Sequence, residues 1–144
     1  MKTLLIGNGE WSKNVLQPTL KQMGKDFIVR TRDYREALLW DEITDVIVAT
    51  PAQTHFQIAR DAILAGKNVL IEKPAVTSLS QAQTLKFEAE MVGVYIAMNT
   101  PYSYHTNLQN LSKESFTEIK SIRHNPQPEH ADGSALICHG AHLS

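Results

Sequence analysis

The chain has 144 residues, of which 42% are hydrophobic and 20% charged, and its net charge is -1. This length suits one domain with a full core and excludes two complete domains, while the near-neutral charge excludes the electrostatic footprint of a protein that binds nucleic acid or an anionic membrane. No apolar run reaches the length of a signal-peptide core or a membrane span, and the single cysteine, Cys138, cannot form an internal disulfide. We therefore expect a cytoplasmic protein whose partner is a small molecule or another protein.

The first predicted element is a buried strand over residues 3–6, which ends at Gly7 and leads into the sequence GNGEWS at residues 7–12. In a dinucleotide-binding loop the first glycine allows a tight turn and the second lets the backbone approach the pyrophosphate. A third small residue allows close helix packing. Gly7 and Gly9 match the first two positions, and Ser12 stands at the third. A plain glycine turn is the alternative, but the strand before the motif favours a cofactor loop.

A helix is predicted after this loop, because Leu16, Leu20 and Met23 recur at helical spacing before Gly24. Pro18 lies inside that pattern, where proline is tolerated only if the helix kinks or begins there. We therefore expect an irregular first turn.

Residues 27–29 form a second predicted strand, and the residues after it bear on cofactor choice. An acidic side chain at this strand end accepts the adenosine ribose hydroxyls of NAD, whereas arginine pairs with the 2′-phosphate of NADP. Thr31 and Arg32 stand where that side chain is expected, so we favour NADP over NAD. A solvated charge cluster in a turn is the alternative interpretation.

A short helix over residues 34–40 and a third strand over residues 46–49 follow, and Thr50-Pro51 end that strand. His55 lies in the first turn of the next helix, and a lone histidine at such a place is more often a capping or packing residue than a catalyst. The buried face of this helix is formed by Phe56, Ala59 and Ile63.

A fourth strand over residues 68–71 ends on Glu72-Lys73-Pro74, and ionisable groups at the carboxyl end of a strand lie where an α/β sheet binds its ligand. Ser78 and Gln81 have the spacing of a capping box, so a further helix begins there. Its predicted buried face is Ala82, Leu85 and Ala89, its end is Gly93, and a fifth strand covers residues 94–97. This alternation of strands and helices predicts an α/β fold, a Rossmann doubly wound parallel sheet with helices on both faces.

The stretch from residue 46 to residue 74, with Thr50-Pro51, His55, Gly66-Lys67 and Glu72-Lys73-Pro74, resembles the glucose-fructose oxidoreductase, inositol dehydrogenase and rhizopine-catabolism (Gfo/Idh/MocA) family. The loop GNGEWS and the segment GSALICHGAHLS are similar to the family's glycine loop and catalytic helix. The resemblance implies an NAD(P)-dependent oxidoreductase that transfers hydride between a hydroxyl-bearing carbon and nicotinamide. The implied substrate is a sugar, cyclitol or sugar nucleotide.

The resemblance also implies roles for individual residues. Those lining the pyrophosphate are Gly7, Asn8, Gly9, Glu10, Trp11 and Ser12, and those along the middle of the cofactor are Thr50, Pro51 and His55. Glu72 and Lys73 are expected beside the nicotinamide, where the Lys73 ammonium can hold a substrate hydroxyl and lower its pKa. A simple surface ion pair between Glu72 and Lys73 is the alternative.

His142 matches the histidine of the family's catalytic helix, so we expect it to act with Lys73. The acidic residue four places earlier is replaced by Cys138, which cannot supply a carboxylate to orient His142. The cysteine and histidines near this end match no zinc template, so no metal is predicted; they are His124, His130, Cys138, His139 and His142.

Two domains of unequal completeness are expected. Residues 1–115 form the NAD(P)-binding Rossmann domain, and residues 116–144 form the truncated start of an α+β substrate and oligomerisation domain. Two hypotheses for function follow. The first is an NAD(P)-dependent oxidoreductase of the sugar and cyclitol dehydrogenase type, and the second is a non-catalytic NAD(P)-binding or interaction protein with the same fold. A strand left unpaired in residues 116–144 would favour a homodimer formed through sheet edges.

Overall fold

The computed structural model describes residues 1–100. The predictions for residues 101–144 lie outside the described residues, namely the second domain, the catalytic helix with Cys138 and His142, and the histidines at 124, 130 and 139. Within residues 1–100, no helix is long and apolar enough to cross a membrane.

Five parallel strands form the sheet of the described part, in the order β2-β1-β3-β4-β5. The strands are β1 (Lys2–Ile6), β2 (Phe27–Arg30), β3 (Ile43–Val48), β4 (Asn68–Ile71) and β5 (Ile96–Met98). Short runs of branched apolar residues suit this arrangement, because strands of a parallel sheet are covered on both faces. The predicted α/β Rossmann fold is confirmed.

Helices cover both faces of the sheet. They are α1 (Gln17–Gln22), α2 (Tyr34–Leu38), α3 (Ala52–Leu64) and α4 (Leu79–Val92). Successive strand residues point to opposite faces. Leu4 and Ile6 therefore pack with α2, α3 and α4 in a large core, whereas Leu5 and Ile47 pack with Leu16 and Leu20 in a smaller core beneath α1.

The first helical segment is irregular, as predicted. A π-helical turn over Ser12–Leu16 leads into α1, and Pro18 lies in the first turn of α1, where its missing N–H breaks no hydrogen bond of that helix. α1 ends at Gln22, and Met23, which continues the helical spacing of Leu16 and Leu20, is 63% exposed.

Several strand and helix boundaries differ from the predictions, most at the start of β3, the start of β5 and the end of α2. β3 begins at Ile43, because its polar Asp45 is paired by the Asn68 side chain at 3.0 Å and stays within the sheet. β5 begins at Ile96 rather than residue 94, because Val94 N–H still donates to Ala89 O at the end of α4. α2 ends at Leu38 rather than residue 40.

The capping of α4 confirms the sequence prediction, with one change of partner. Ser78 Oγ accepts a hydrogen bond from the Gln81 N–H at 3.3 Å, while Gln81 Oε1 accepts from the N–H of Thr77 rather than of Ser78. Gly93 ends the helix in the left-handed conformation, with φ of 80°. Ala82 is exposed rather than buried, and the buried side chains of α4 are Leu85 and Ala89.

Candidate functional site

The predicted site residues of the described part gather at the carboxyl edge of the sheet, in the loops that follow β1, β2, β3 and β4. Backbone hydrogen bonds continue from strand to strand just past the strand ends. Gly7 N–H donates to Arg30 O at 2.9 Å, Ala49 N–H to Ile6 O at 2.8 Å, and Glu72 N–H to Val48 O at 2.9 Å. This is the edge at which open parallel sheets bind their ligands.

The two glycines of the loop after β1 have different structural environments. Gly7 has φ of +117°, and a Cβ added there would lie 2.0 Å from Ala49 O, so only glycine allows this loop to approach the end of β3. A Cβ added at Gly9 would have no heavy atom within 4 Å. The Gly9 carbonyl accepts a hydrogen bond from Lys13 N–H at 3.0 Å, which places Gly9 at the amino end of the helical segment. Gly7 therefore shapes the loop, and the space beside Gly9 is open.

Ser12 fits the third position of the motif because its hydroxyl closes the loop. Its side chain is buried, and Oγ donates to Gly7 O at 2.8 Å. Gln17 Nε2 donates to Ser12 Oγ at 3.3 Å and to Asn8 Oδ1 at 3.1 Å. Serine therefore replaces the small third residue of the motif and bonds to the backbone of the loop.

Glu72 is held by two donors from neighbouring loops. Its Oε1 accepts a hydrogen bond from Trp11 Nε1 at 2.9 Å and another from Asn99 Nδ2 at 2.6 Å, and the residue is only 8% exposed. Sequence reasoning missed Asn99 as a member of the site. The signal for it was its place directly after β5, whose carboxyl end lies beside that of β4.

Lys73 follows Glu72 and is partly buried. Among residues 1–100 it makes no ion pair with Glu72, whose Oε1 is engaged by Trp11 and Asn99. The peptide between Lys73 and Pro74 is cis. Within residues 1–100, Lys73 thus has no carboxylate partner. The alternative interpretation, a simple surface ion pair between Glu72 and Lys73, is wrong.

His55 joins two of the loops at this edge. Its ring is 1% exposed, with Nε2 2.7 Å from Thr50 O and Nδ1 2.8 Å from Pro74 O. The ring thus links the turn before α3 to the loop that carries Lys73. This placement agrees with the capping or packing role inferred from the sequence.

Thr31 and Arg32 lie directly after β2 and are exposed. Arg30 is committed elsewhere: its guanidinium stacks over the Trp40 ring at 5.5 Å and lies 3.7 Å from Asp33 Oδ2. Arg32 makes no such contact within residues 1–100. The structure therefore leaves Arg32, rather than Arg30, available to an anionic ligand.

The largest pKa shift in the described part lies away from this edge, between α2 and α3. Burial, followed by the hydrogen bond from Tyr34 to Asp61, raises the pKa of Tyr34 to about 12. For Asp61, desolvation raises the pKa, but hydrogen bonds from Tyr34 and Gln57 and the charge of Arg35 outweigh it, so the pKa lies below its ordinary value. These side chains join α2 to α3 and take no part in the candidate site.

Comparison with curated proteins gives several oxidoreductases as relatives. The uncharacterized oxidoreductase YhhX of Escherichia coli is 42% identical over 72 residues, which are 50% of this chain and 20% of that protein. The scyllo-inositol 2-dehydrogenase (NADP(+)) IolW of Bacillus subtilis is 38% identical over 53 residues, or 37% of this chain and 15% of that protein. The matched part of the chain thus spans about a fifth or less of these relatives.

Solved structures share the fold. A probable oxidoreductase yhhX superposes with a TM-score of 0.70 at 23% identity, covering 78% of this chain and 39% of that chain. GenD2 from gentamicin A biosynthesis, solved in complex with NAD, has a TM-score of 0.62 at 27% identity, with 78% and 38% coverage. The family model described as "Oxidoreductase family, NAD-binding Rossmann fold" matches residues 11–100. The chain therefore belongs to the Gfo/Idh/MocA oxidoreductase family, and residues 11–100 are its NAD-binding Rossmann part.

Proposed function

We propose that this protein is an NAD(P)-dependent oxidoreductase that oxidises or reduces a hydroxyl-bearing carbon of a sugar, cyclitol or sugar nucleotide. The observation that carries the proposal is the pairing of two features at one sheet edge. An open glycine loop after β1 starts a helical segment, and Lys73 lies after β4 at the same edge of the sheet. Within residues 1–100, Lys73 has no carboxylate partner. A cytoplasmic location belongs to the same proposal.

The pyrophosphate of the cofactor is assigned to the loop of residues 7–12. Open space beside Gly9 and the amino end of the helical segment support this, because backbone N–H groups at a helix start bind phosphate. Thr50 and Pro51 are assigned to the middle of the cofactor. The buried His55 ring acts indirectly, through the carbonyls of Thr50 and Pro74 that it contacts.

NADP is favoured over NAD because Arg32 is exposed and uncommitted among the described residues. An arginine at the end of this strand is suited to pair with a 2′-phosphate. Both cofactors occur among similar proteins, since the name of IolW specifies NADP(+) and GenD2 was solved in complex with NAD. Arg32 is therefore the residue on which the preference depends.

When bound, the nicotinamide accepts or donates the hydride. The task of Lys73 is to hold the substrate hydroxyl and, through its positive charge, to lower the pKa of that hydroxyl so that its proton leaves more easily. Within residues 1–100 no carboxylate neutralises Lys73, so its charge is available to a substrate. His142 remains the predicted acid or base, with Cys138 in place of the acidic residue that would orient it.

Two measurements test the proposal. Calorimetric titration with NADPH and NADH should give saturable binding, and the absence of heat with both would contradict it. A panel of sugars and cyclitols should then give turnover that Lys73→Ala lowers by about a hundredfold or more, the size of a lost acid-base group. Lys86→Ala, which removes an exposed lysine of α4, is the matched control and should leave turnover unchanged. Equal turnover in the wild type and Lys73→Ala would refute the role of Lys73.

The second candidate function is a non-catalytic NAD(P)-binding or interaction protein. Cys138 in place of the acidic residue favours it, because binding does not need that carboxylate. It predicts cofactor binding without turnover on the whole panel. Light scattering after gel filtration would test for the homodimer that this candidate would use.

A further inference from the structure

One carboxylate oxygen connects three loops of the candidate site. Glu72 Oε1, after β4, accepts from Trp11 in the loop after β1 and from Asn99 after β5. In the sheet order, β3 lies between β1 and β4, so the loops after β1 and β4 are about 10 Å apart across two strand spacings. Backbone pairing between neighbouring strands cannot bridge that distance. The long side chains of Trp11 and Glu72 make the connection.

The contact fixes the direction of the indole ring. Trp11 is 47% exposed although Nε1, the only polar atom of its side chain, donates a hydrogen bond to Glu72. A buried carboxylate needs donors to offset its lost hydration, and Trp11 and Asn99 supply them. The ring is therefore held at one end and open at the other, beside the glycine loop to which it belongs.

We propose that Glu72 is a positioning residue: it sets the Trp11 ring and the Asn99 amide around the residue that follows it, Lys73, and acts on the ligand through them. This inference rests on the proposed cofactor site and deepens it. It departs from a direct contact of Glu72 with the nicotinamide, since Glu72 Oε1 accepts its two hydrogen bonds from side chains of the protein. Lys73 is connected to this arrangement as the next residue of the backbone, and Glu72 N–H also donates to Val48 O at the end of β3.

The hydrogen bond itself can be tested without any cofactor. The chain has two tryptophans, Trp11 and Trp40, so Trp11→Phe assigns the two indole N–H signals in a 1H–15N spectrum. Glu72→Gln keeps an oxygen acceptor, and Glu72→Ala removes it. The Trp11 indole proton should exchange slowly with water in the wild type and Glu72→Gln, and rapidly in Glu72→Ala. Fast exchange in the wild type would overturn the proposal.

The action on the ligand is tested by a double-mutant cycle on the dissociation constant of NADPH and NADH. Trp11→Phe and Glu72→Ala should each weaken binding by about tenfold, the size of one hydrogen bond to a charged group. The double variant should be no weaker than the weaker single variant, because both changes break the same contact. Glu72→Gln should bind as the wild type does.

Two results would overturn the inference. If the factors by which the two single variants raise the dissociation constant multiply in the double variant, the two residues act separately. If Glu72→Gln binds the cofactor as weakly as Glu72→Ala does, the negative charge of Glu72 contacts the ligand directly. If Glu72→Ala does not fold, the comparison is made with the other variants: Glu72→Gln should bind as tightly as the wild type, and Trp11→Phe about tenfold more weakly. A Glu72→Gln that binds as weakly as Trp11→Phe would overturn the inference. If the wild type binds neither cofactor, the proposed function is refuted. If the wild type binds but the losses of binding free energy in the two single variants add up in the double variant, this inference alone is refuted.

Discussion

Alanine at Gly7 and alanine at Gly9 should have opposite consequences, although the two glycines lie two residues apart in one loop. At Gly7 the new Cβ would lie 2.0 Å from Ala49 O and 2.6 Å from Ala49 C. An ordinary contact begins at 3.4 Å, so one of the two backbones must move by 3.4 - 2.0 = 1.4 Å. That movement would disturb the Gly7 N–H to Arg30 O bond and the Ala49 N–H to Ile6 O bond.

The cost of Gly7→Ala has two parts. A non-glycine residue at this positive φ is strained by about 1–3 kcal/mol, and forcing an extra carbon into a packed place costs about 1–3 kcal/mol more. The sum of about 2–6 kcal/mol is a large part of the roughly 5–15 kcal/mol by which domains are stable. We expect a strongly lowered urea midpoint, or a protein that does not fold.

Gly9→Ala should leave the fold intact. Its φ is not positive and its Cβ would have no heavy atom within 4 Å, so the change in unfolding free energy should stay within about 1 kcal/mol. The methyl group would, however, occupy the space assigned to the pyrophosphate. Affinity for NADPH should therefore fall by about tenfold or more, since a phosphate held by backbone N–H groups needs close approach.

Urea denaturation followed by circular dichroism, together with calorimetric titration of NADPH, separates the two effects. A Gly7→Ala protein with the wild-type midpoint would refute the packing argument. A Gly9→Ala protein that folds and binds NADPH as tightly as the wild type would refute the placement of the pyrophosphate.

Two further outcomes concern charge. Arg32→Ala should weaken NADPH by about tenfold and leave NADH nearly unchanged, because only NADPH carries the 2′-phosphate; Lys21→Ala, an exposed change on α1, serves as the control, and an equal loss for both cofactors would remove the assigned role. Asp61→Asn should flatten the acid side of the stability profile. The folded-state pKa of Asp61 is below its ordinary value of 3.8, so its stabilisation is complete above that pH and is lost as pH falls through the folded pKa. Urea midpoints measured downward from pH 5 would show it, and an unchanged slope in the variant would contradict it.

Local signals made much of the fold predictable. Each of these signals specifies backbone geometry within a few residues. They are the apolar run of β1 and the glycine after it, Ser78 and Gln81 at the start of α4, and Pro18 in α1. Periodicity was less reliable for burial. Met23 and Ala82 continue a helical spacing yet are exposed. The spacing identifies one side of a helix, but it does not show how far the elements that pack against that side extend.

The contacts inside the site were not predictable from local pattern. Trp11 and Glu72 are 61 residues apart, and Glu72 and Asn99 are 27 apart. These contacts depend on the strand order of the sheet. In that order, β1 lies two strands away from β4, and β5 lies beside β4. The sequence identified the residues at the strand ends. It could not show that Trp11 and Asn99 donate to the same carboxylate oxygen of Glu72.

The unequal cores on the two faces of the sheet bear on how the molecule opens. Among residues 1–100, the core beneath α1 has four buried side chains, and the core beneath α2, α3 and α4 has sixteen. Regions with few buried apolar contacts open at lower free energy than the rest of a domain. In this part of the chain, the segment that carries the glycine loop is therefore the first to open, and amide exchange in α1 should be faster than in α3. A ligand bound at that loop would stabilise α1 and the core beneath it. Ligand binding should therefore slow amide exchange in α1 before it raises the free energy of global unfolding.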